Sequence, residues 1–133
     1  MTAWLAGYGA ALLVLGVLDG LWLGFVMRDF YRREIGPMMV DSVRLLPAAL
    51  FYFGYPAGMM ALVLSPMPTD FGTVLWKSAL VGLMAYGVYD LSNMATLRPW
   101  TWKLVVTDIV WGTALTAAAG TAAWWAMRWV GGR

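Results

Sequence analysis

Three aspartates stand inside long apolar stretches of the chain, at Asp19, Asp90 and Asp108. An ionised aspartate near the centre of a membrane helix costs roughly 2.5–3.5 kcal/mol on insertion scales, so such side chains point into a bundle rather than towards lipid. A buried carboxylic acid can hold or transfer a proton, or bind the polar group of a ligand. We therefore predict that these three aspartates are the acid/base or binding groups of the protein.

The flanking charges indicate that the three aspartates share one depth. Each lies between five and nine residues from the nearest basic residue of the first or third loop. At a rise of 1.5 Å per helical residue, these separations correspond to ~8–14 Å. Because the first and third loops lie on the same side of any four-span topology, the aspartates form one layer.

Aromatic and amide side chains accompany the acids at helical spacing. Trp22 follows Asp19 by three residues and Trp111 follows Asp108 by three, so each tryptophan shares a helix face with its aspartate. In one interpretation these side chains only fix helix register through hydrogen bonds. The shared depth favours a functional pocket instead, and its predicted lining is Trp22, Tyr52, Tyr55, Tyr86, Tyr89, Asn93 and Trp111.

Cysteine and histidine are both absent from the chain. This excludes a disulfide, a histidine-ligated haem, a cysteine nucleophile and a Ser-His-Asp triad built from this chain alone. Carboxylates could bind a hard cation such as Mg²⁺, but no familiar metal-binding spacing occurs. We predict neither a metal nor a cofactor.

The composition requires lipid as the surrounding solvent. Hydrophobic residues make up 62% of the 133 residues and charged residues 12%, against about 25% charged in a soluble domain. A soluble protein of this size could not bury so much apolar surface. The basic residues lie between apolar stretches and form no continuous stripe, which favours lipid headgroups over nucleic acid as the anionic partner.

Four stretches are long enough to cross a hydrocarbon core, which takes about 20 helical residues. We predict an all-α integral membrane bundle of four transmembrane helices, forming a single domain over residues 1–133. The first stretch exceeds the length of a signal-peptide core, so we expect it to be retained. The predicted spans are residues 4–27, 45–64, 72–94 and 104–127.

Loop charges predict the orientation through the positive-inside rule. Six basic residues lie in the first and third loops (Arg28, Arg32, Arg33, Arg44, Arg98, Lys103), and three lie on the other side (Lys77, Arg128, Arg133). Both termini are therefore expected outside the cytoplasm. Aromatic residues fit interfacial belts, with Trp4, Trp76, Trp124, Trp125 and Trp129 on the outer side and Phe30, Tyr31, Trp100 and Trp102 on the inner side.

Small residues repeat every four positions on three of the spans, a pattern that lets helix backbones approach closely in lipid. The pattern favours packing within one bundle, with a homodimer through the glycine-rich faces as the alternative. The repeating residues are Gly16, Gly20 and Gly24, then Gly54 and Gly58, then Gly112, Thr116 and Gly120.

Four stretches resemble a bacterial family of small four-span membrane proteins, the domain of unknown function 2177. They are residues 18–24 (LDGLWLG), 51–53 (FYF) with Gly58, 89–97 (YDLSNMATL) and 108–112 (DIVWG). Ser92 stands where the family usually has threonine, which keeps the hydroxyl. The resemblance implies a bacterial inner membrane and supplies no reaction.

These observations support three functions. The first is a site in the cytoplasmic half of the bundle that binds or modifies a small lipophilic or lipid molecule, and enzymatic activity stays open. The second is a proton-coupled transporter, similar in outline to the small multidrug-resistance exporters. Those proteins use one glutamate in the first span, whereas this chain has three aspartates displaced towards one side. The third is an accessory subunit of a larger membrane complex.

Overall fold

The computed structural model describes residues 1–132, so Arg133 of the charge count lies outside it. The helices are α1 (Thr2–Leu21, continued by a π-helical turn over Trp22–Val26), α2 (Arg28–Ile35), α3 (Leu45–Val63), α4 (Phe71–Thr96) and α5 (Trp102–Gly131). Four of them, α1 with its π turn, α3, α4 and α5, are long and apolar enough to cross a membrane. The predicted all-α bundle of four spans is confirmed.

Side-chain caps fix where the two longest helices begin. The Asp70 carboxylate accepts hydrogen bonds from the backbone N–H of Thr73 (2.8 Å) and from its hydroxyl (2.7 Å), and this caps α4. These bonds lower the pKa of Asp70, which keeps the cap anionic at the positive end of the helix. The Thr101 hydroxyl accepts from the N–H of Leu104 (3.2 Å) and caps α5 in the same way.

Helices α4 and α5 form the closest contact in the bundle. The contacting residues advance by four positions along α4 while they go back by four positions along α5, as expected for two antiparallel helices. A Cβ at Gly112 would overlap the Tyr86 ring, and one at Gly82 would lie 2.5 Å from the Gly112 carbonyl oxygen. We call this contact the α4–α5 seam; its pairs are Ser78–Gly120, Gly82–Thr116, Tyr86–Gly112 and Asp90–Asp108.

The glycines predicted to form packing grooves on α1 and α3 face outward. No atom of a neighbouring element lies within 4 Å of a Cβ built at any of these predicted groove positions, so the expectation that they pack within the bundle is wrong. Helix α1 instead buries a different four-residue ladder, Gly7, Ala11, Leu15 and Asp19. The outward glycines are Gly16, Gly20, Gly24, Gly54 and Gly58.

A hydrogen bond from α1 supports α3 near its internal proline. Pro56 has no N–H to donate to the carbonyl four residues earlier, which weakens the helix at that turn. The Tyr8 hydroxyl donates to the carbonyl oxygen of Phe53 (2.8 Å), one residue beyond the carbonyl that Pro56 leaves free. A neighbouring helix thus supplies polar contact where the α3 ladder is interrupted.

Several aromatic residues predicted at the interfaces are buried inside the protein. Trp124 is 3% exposed and donates its indole N–H to the Pro68 carbonyl oxygen (2.8 Å), while Trp100 and Phe30 are 8% exposed. The belt prediction is wrong for these three, because protein acceptors and apolar neighbours take them out of contact with lipid. The exposed tryptophans are Trp76, Trp102, Trp125 and Trp129.

Substituting Gly112→Ala should destabilise the bundle by about 1–3 kcal/mol, because the added methyl group forces the Tyr86 ring away from the seam. The matched control is Gly16→Ala, where the methyl group meets no neighbour. Unfolding in detergent, followed by circular dichroism, should show a lower midpoint for Gly112→Ala alone. Equal midpoints for the two variants would contradict the close packing of the seam.

Candidate functional site

The structure buries all three aspartates towards one end of the bundle. Asp19, Asp90 and Asp108 are 5%, 0% and 9% exposed, and each lies six or seven residues from the end of its span. We call this the α2 end, because α2 and the α4–α5 loop lie there. The aspartates and their direct hydrogen-bond donors are called the polar layer below; the donors are Tyr31, Tyr52, Trp100 and Trp111.

Asp19 receives a hydrogen bond on each carboxylate oxygen. The Tyr52 hydroxyl of α3 donates to Oδ2 (2.6 Å), and the Trp111 indole N–H of α5 donates to Oδ1 (3.1 Å). A short bond from a hydroxyl to a carboxylate is stronger than a bond between neutral groups. Asp19 therefore links three spans and has both oxygens satisfied.

Asp108 receives its donor from the short helix α2. The Tyr31 hydroxyl donates to Asp108 Oδ1 (2.7 Å) and accepts a bond from the Trp22 indole N–H (3.2 Å). Burial and the hydrogen bond to Asp108 raise the pKa of Tyr31, so the phenol keeps its proton and remains a donor. Helix α2 thereby contributes a side chain to the site.

The two aspartate–tryptophan pairs predicted on α1 and α5 cross over. Trp111 donates to Asp19, and Trp22 reaches Asp108 through Tyr31, so each indole serves the acid of the other helix. The two indoles stack at 4.1 Å between centroids with 2° between their planes. The stack joins the Asp19 and Asp108 hydrogen-bond networks into one unit.

Asp90 has one hydrogen-bond donor among residues 1–132. The Trp100 indole N–H, from the α4–α5 loop, donates to Asp90 Oδ1 (3.2 Å). Oδ2 is buried and has no hydrogen-bond donor among the described residues. Its side-chain neighbour across the seam is the Asp108 carboxyl group, which has no proton to offer when ionised.

Two tyrosines extend the site away from the acids. The Thr116 hydroxyl donates to the Gly112 carbonyl oxygen (2.7 Å), so the Tyr55 hydroxyl is the donor in its 2.7 Å bond with Thr116. The Tyr86 ring meets Tyr55 edge-on at 6.4 Å. Within the described chain the Tyr86 hydroxyl, which lies in the field of Asp19 and Asp108, makes no hydrogen bond.

Tyr89 and Asn93 lie at the margin of the polar layer. Tyr89 is 53% exposed and places its ring edge-on to Trp100 at 5.8 Å. Neither side chain bonds to an aspartate in the part of the chain that the structure describes. The structure thus brings Trp22, Tyr52 and Trp111 into the hydrogen-bond network of the acids. Tyr55 and Tyr86 extend the site, and Tyr89 and Asn93 remain beside it.

Three contributors to the site were absent from the predicted set, namely Tyr31, Trp100 and Thr116. Tyr31 follows a π-helical turn that breaks the helical register with α1, and Trp100 lies in a loop, so spacing gives no signal for either. Thr116 was predicted only as a small residue of a packing groove. The Arg98–Pro99 dipeptide beside Trp100 predicts the end of a helix and a turn, but it does not predict the direction in which the Trp100 indole points.

Two apolar grooves open on the lipid-facing surface. The first, of about 410 Å³, is called the α3–α4 groove; it is lined by Gly54, Gly58, Leu62, Val81, Met84 and Ala85, with Tyr55 in its wall. The second, of about 430 Å³, lies between α4 and α5 and includes Ala79, Ile109 and Thr113. The Thr113 hydroxyl is bonded to the Ile109 carbonyl, so that groove offers no free polar group.

Substituting Tyr52→Phe should lower stability by about 1–2 kcal/mol, because Asp19 loses its shortest hydrogen bond. Asp19→Asn and the double variant complete a mutant cycle that isolates the pair. Unfolding in detergent should give a coupling energy well above zero for Tyr52 with Asp19. Tyr89→Phe is the matched control, and a cycle of Tyr89→Phe with Asp19→Asn should be additive.

The comparison with protein families identifies the chain. A family described as "Predicted membrane protein (DUF2177)" matches residues 4–125, which include all four spans and every member of the polar layer. No curated protein and no solved structure matches the chain. The chain therefore belongs to the DUF2177 family of predicted membrane proteins.

Proposed function

We propose that the protein binds a small lipophilic or lipid molecule in the α3–α4 groove, with the polar group of that molecule directed to the polar layer. The observation that carries this proposal is the position of Tyr55, which lines the groove and whose ring meets Tyr86 beside the acids. An apolar groove with a few polar groups at one end is the usual form of a ligand site.

The shape of the groove supports a lipophilic ligand. Helix α3 contacts its neighbours much less closely than α4 contacts α5, and Gly54 and Gly58 leave its groove face without side chains. The groove is open to the bilayer along its length, so a molecule dissolved in lipid can enter sideways. Its volume of about 410 Å³ suits an alkyl or isoprenoid chain, or a compact ring system.

The charge of the polar layer limits the headgroup. Asp19 presents a carboxylate held by Tyr52 and Trp111, and an anionic headgroup beside it would be repelled. A hydroxyl or an amine could accept from or donate to the Tyr86 hydroxyl, which makes no bond within the described chain. We therefore expect a neutral or cationic ligand with one hydrogen-bonding group.

Photolabelling with matched long-chain probes tests this site. A diazirine-bearing alkylamine and the corresponding alcohol should label residues of the α3–α4 groove, and the matching fatty acid should label them several-fold less. Gly58→Leu should abolish this labelling, because the leucine side chain fills the groove. The control variant is Ala79→Leu, which fills the second groove and should leave labelling of the first unchanged.

Three results would contradict the proposal. Labelling spread evenly over both grooves would indicate bulk lipid rather than a site. Loss of labelling in Ala79→Leu equal to that in Gly58→Leu would indicate a general change of the bundle. Labelling that favours the fatty acid would overturn the expected headgroup.

Proton-coupled transport of such a molecule is the second candidate. It is favoured by Asp90, a membrane-embedded acid with one unpartnered oxygen. Alternating access places its coupling site near the bilayer midplane, whereas the three acids lie six or seven residues from the ends of their spans. We therefore propose ligand binding as the first function and proton-coupled transport as the second.

We also propose a bacterial inner-membrane location with both termini outside the cytoplasm. The support is the excess of basic residues in the loops at the α2 end. Because the chain has no cysteine, single-cysteine variants give an unambiguous label. In intact cells a membrane-impermeant maleimide should label Thr69→Cys and spare Ser42→Cys, both at exposed loop positions. The reverse pattern would invert the topology.

A further inference from the structure

The α4–α5 seam contains the one aspartate oxygen in the described chain that is buried without a donor. Asp90 is fully buried, and its Oδ1 takes the Trp100 indole N–H. Its Oδ2 has no hydrogen-bond partner among the described residues, and the Asp108 carboxyl group is the neighbouring carboxyl group of Asp90 across the seam. A buried acceptor without a donor is costly, and two ionised carboxylates side by side add repulsion to that cost.

The groups that face the Asp90–Asp108 pair do not relieve this repulsion. Tyr31 faces it from α2 and donates to Asp108 Oδ1, and Tyr89 lies on the adjacent part of α4. On α1, the acid of the polar layer is Asp19, which, like Asp108, lies near the Tyr86 hydroxyl. The nearby ammonium group of Lys103 lies over the Phe30 ring (5.4 Å) at an exposed position.

We propose that Asp90 and Asp108 share a single proton, which forms the hydrogen bond between Asp90 Oδ2 and Asp108, and that the pair is a proton-binding site within the membrane. One carboxylate of the pair takes up a proton to become the carboxylic acid, and the other accepts the hydrogen bond from it. This proposal extends beyond ligand binding, because the shared proton requires no ligand.

The third aspartate provides an internal contrast. Asp19 has two donors, Tyr52 and Trp111, one on each oxygen. An ionised carboxylate with both oxygens bonded needs no proton to be satisfied. The three acids thus differ in their hydrogen bonds: Asp19 has a donor on each oxygen, whereas Asp90 Oδ2 has none within the described chain.

The hydrogen-bond geometry also indicates the route of the proton. Tyr31 bonds to Asp108 from α2, which begins with exposed Arg28 and Asp29 at the surface of the α2 end. We expect the pair to exchange its proton with water on the side of this tyrosine, at the charged α2 surface. The opposite direction along the seam is closed by Tyr86 against Gly112 and by the Gly82 contact.

Infrared spectroscopy of the protein in lipid vesicles tests the proposal directly. With isotope-labelled aspartate, the intact protein at neutral pH should show the C=O band of one protonated aspartate, shifted in D₂O and lost on alkaline titration. Asp90→Asn and Asp108→Asn should each remove the band, because the introduced amide donates to the remaining carboxylate. Asp19→Asn should leave it unchanged.

Every other result decides against the shared proton. Absence of the band in the intact protein at neutral pH would overturn the proposal without any variant, so poor folding of an asparagine variant cannot obscure the answer. Persistence of the band in Asp108→Asn would place the proton on Asp90 alone, and its loss in Asp19→Asn would place it elsewhere. The band should survive in Gly58→Leu, which separates this proposal from ligand binding in the α3–α4 groove.

Discussion

Carboxylates inside hydrocarbon need donors, and lipid supplies none. This constraint determines how the helices are arranged around the polar layer. The donors come from α2, α3, α5 and the α4–α5 loop, so the polar layer cannot form until distant parts of the chain meet. The hydrogen bonds that satisfy the aspartates therefore also position the helices. Only an arrangement of the helices that supplies these donors avoids the free-energy cost of burying the carboxyl groups.

The seam supplies the second constraint, because two backbones approach closely only where side chains are small. Gly112 and Gly120 admit Tyr86 and Ser78 opposite them, which fixes the register of α4 on α5. That register in turn places Asp90 opposite Asp108. Looser contacts of α3 leave the groove that we propose as the ligand site.

The sequence predicted the four spans, the burial of the three acids and the small-residue face of α5, because each is a property of one helix and its periodicity. It did not predict which helix supplies each donor. Asp19 and Trp22 share a face, yet the indole that bonds Asp19 is Trp111. Tyr31 and Trp100 reach the acids from segments without a helical register to α1 or α4. The glycines of α1 and α3 match the packing pattern, but a different face of α1 is buried.

The unpartnered oxygen and the seam have a common cause. A donor for Asp90 Oδ2 would have to enter between α4 and α5, where Gly82 already lies against the α5 backbone and Tyr86 covers Gly112. Asp19, by contrast, lies where α1, α3 and α5 meet, and two donors reach it. A proton occupies almost no volume. The proton that we propose for the Asp90–Asp108 pair therefore fits a closely packed seam in which a larger donor does not.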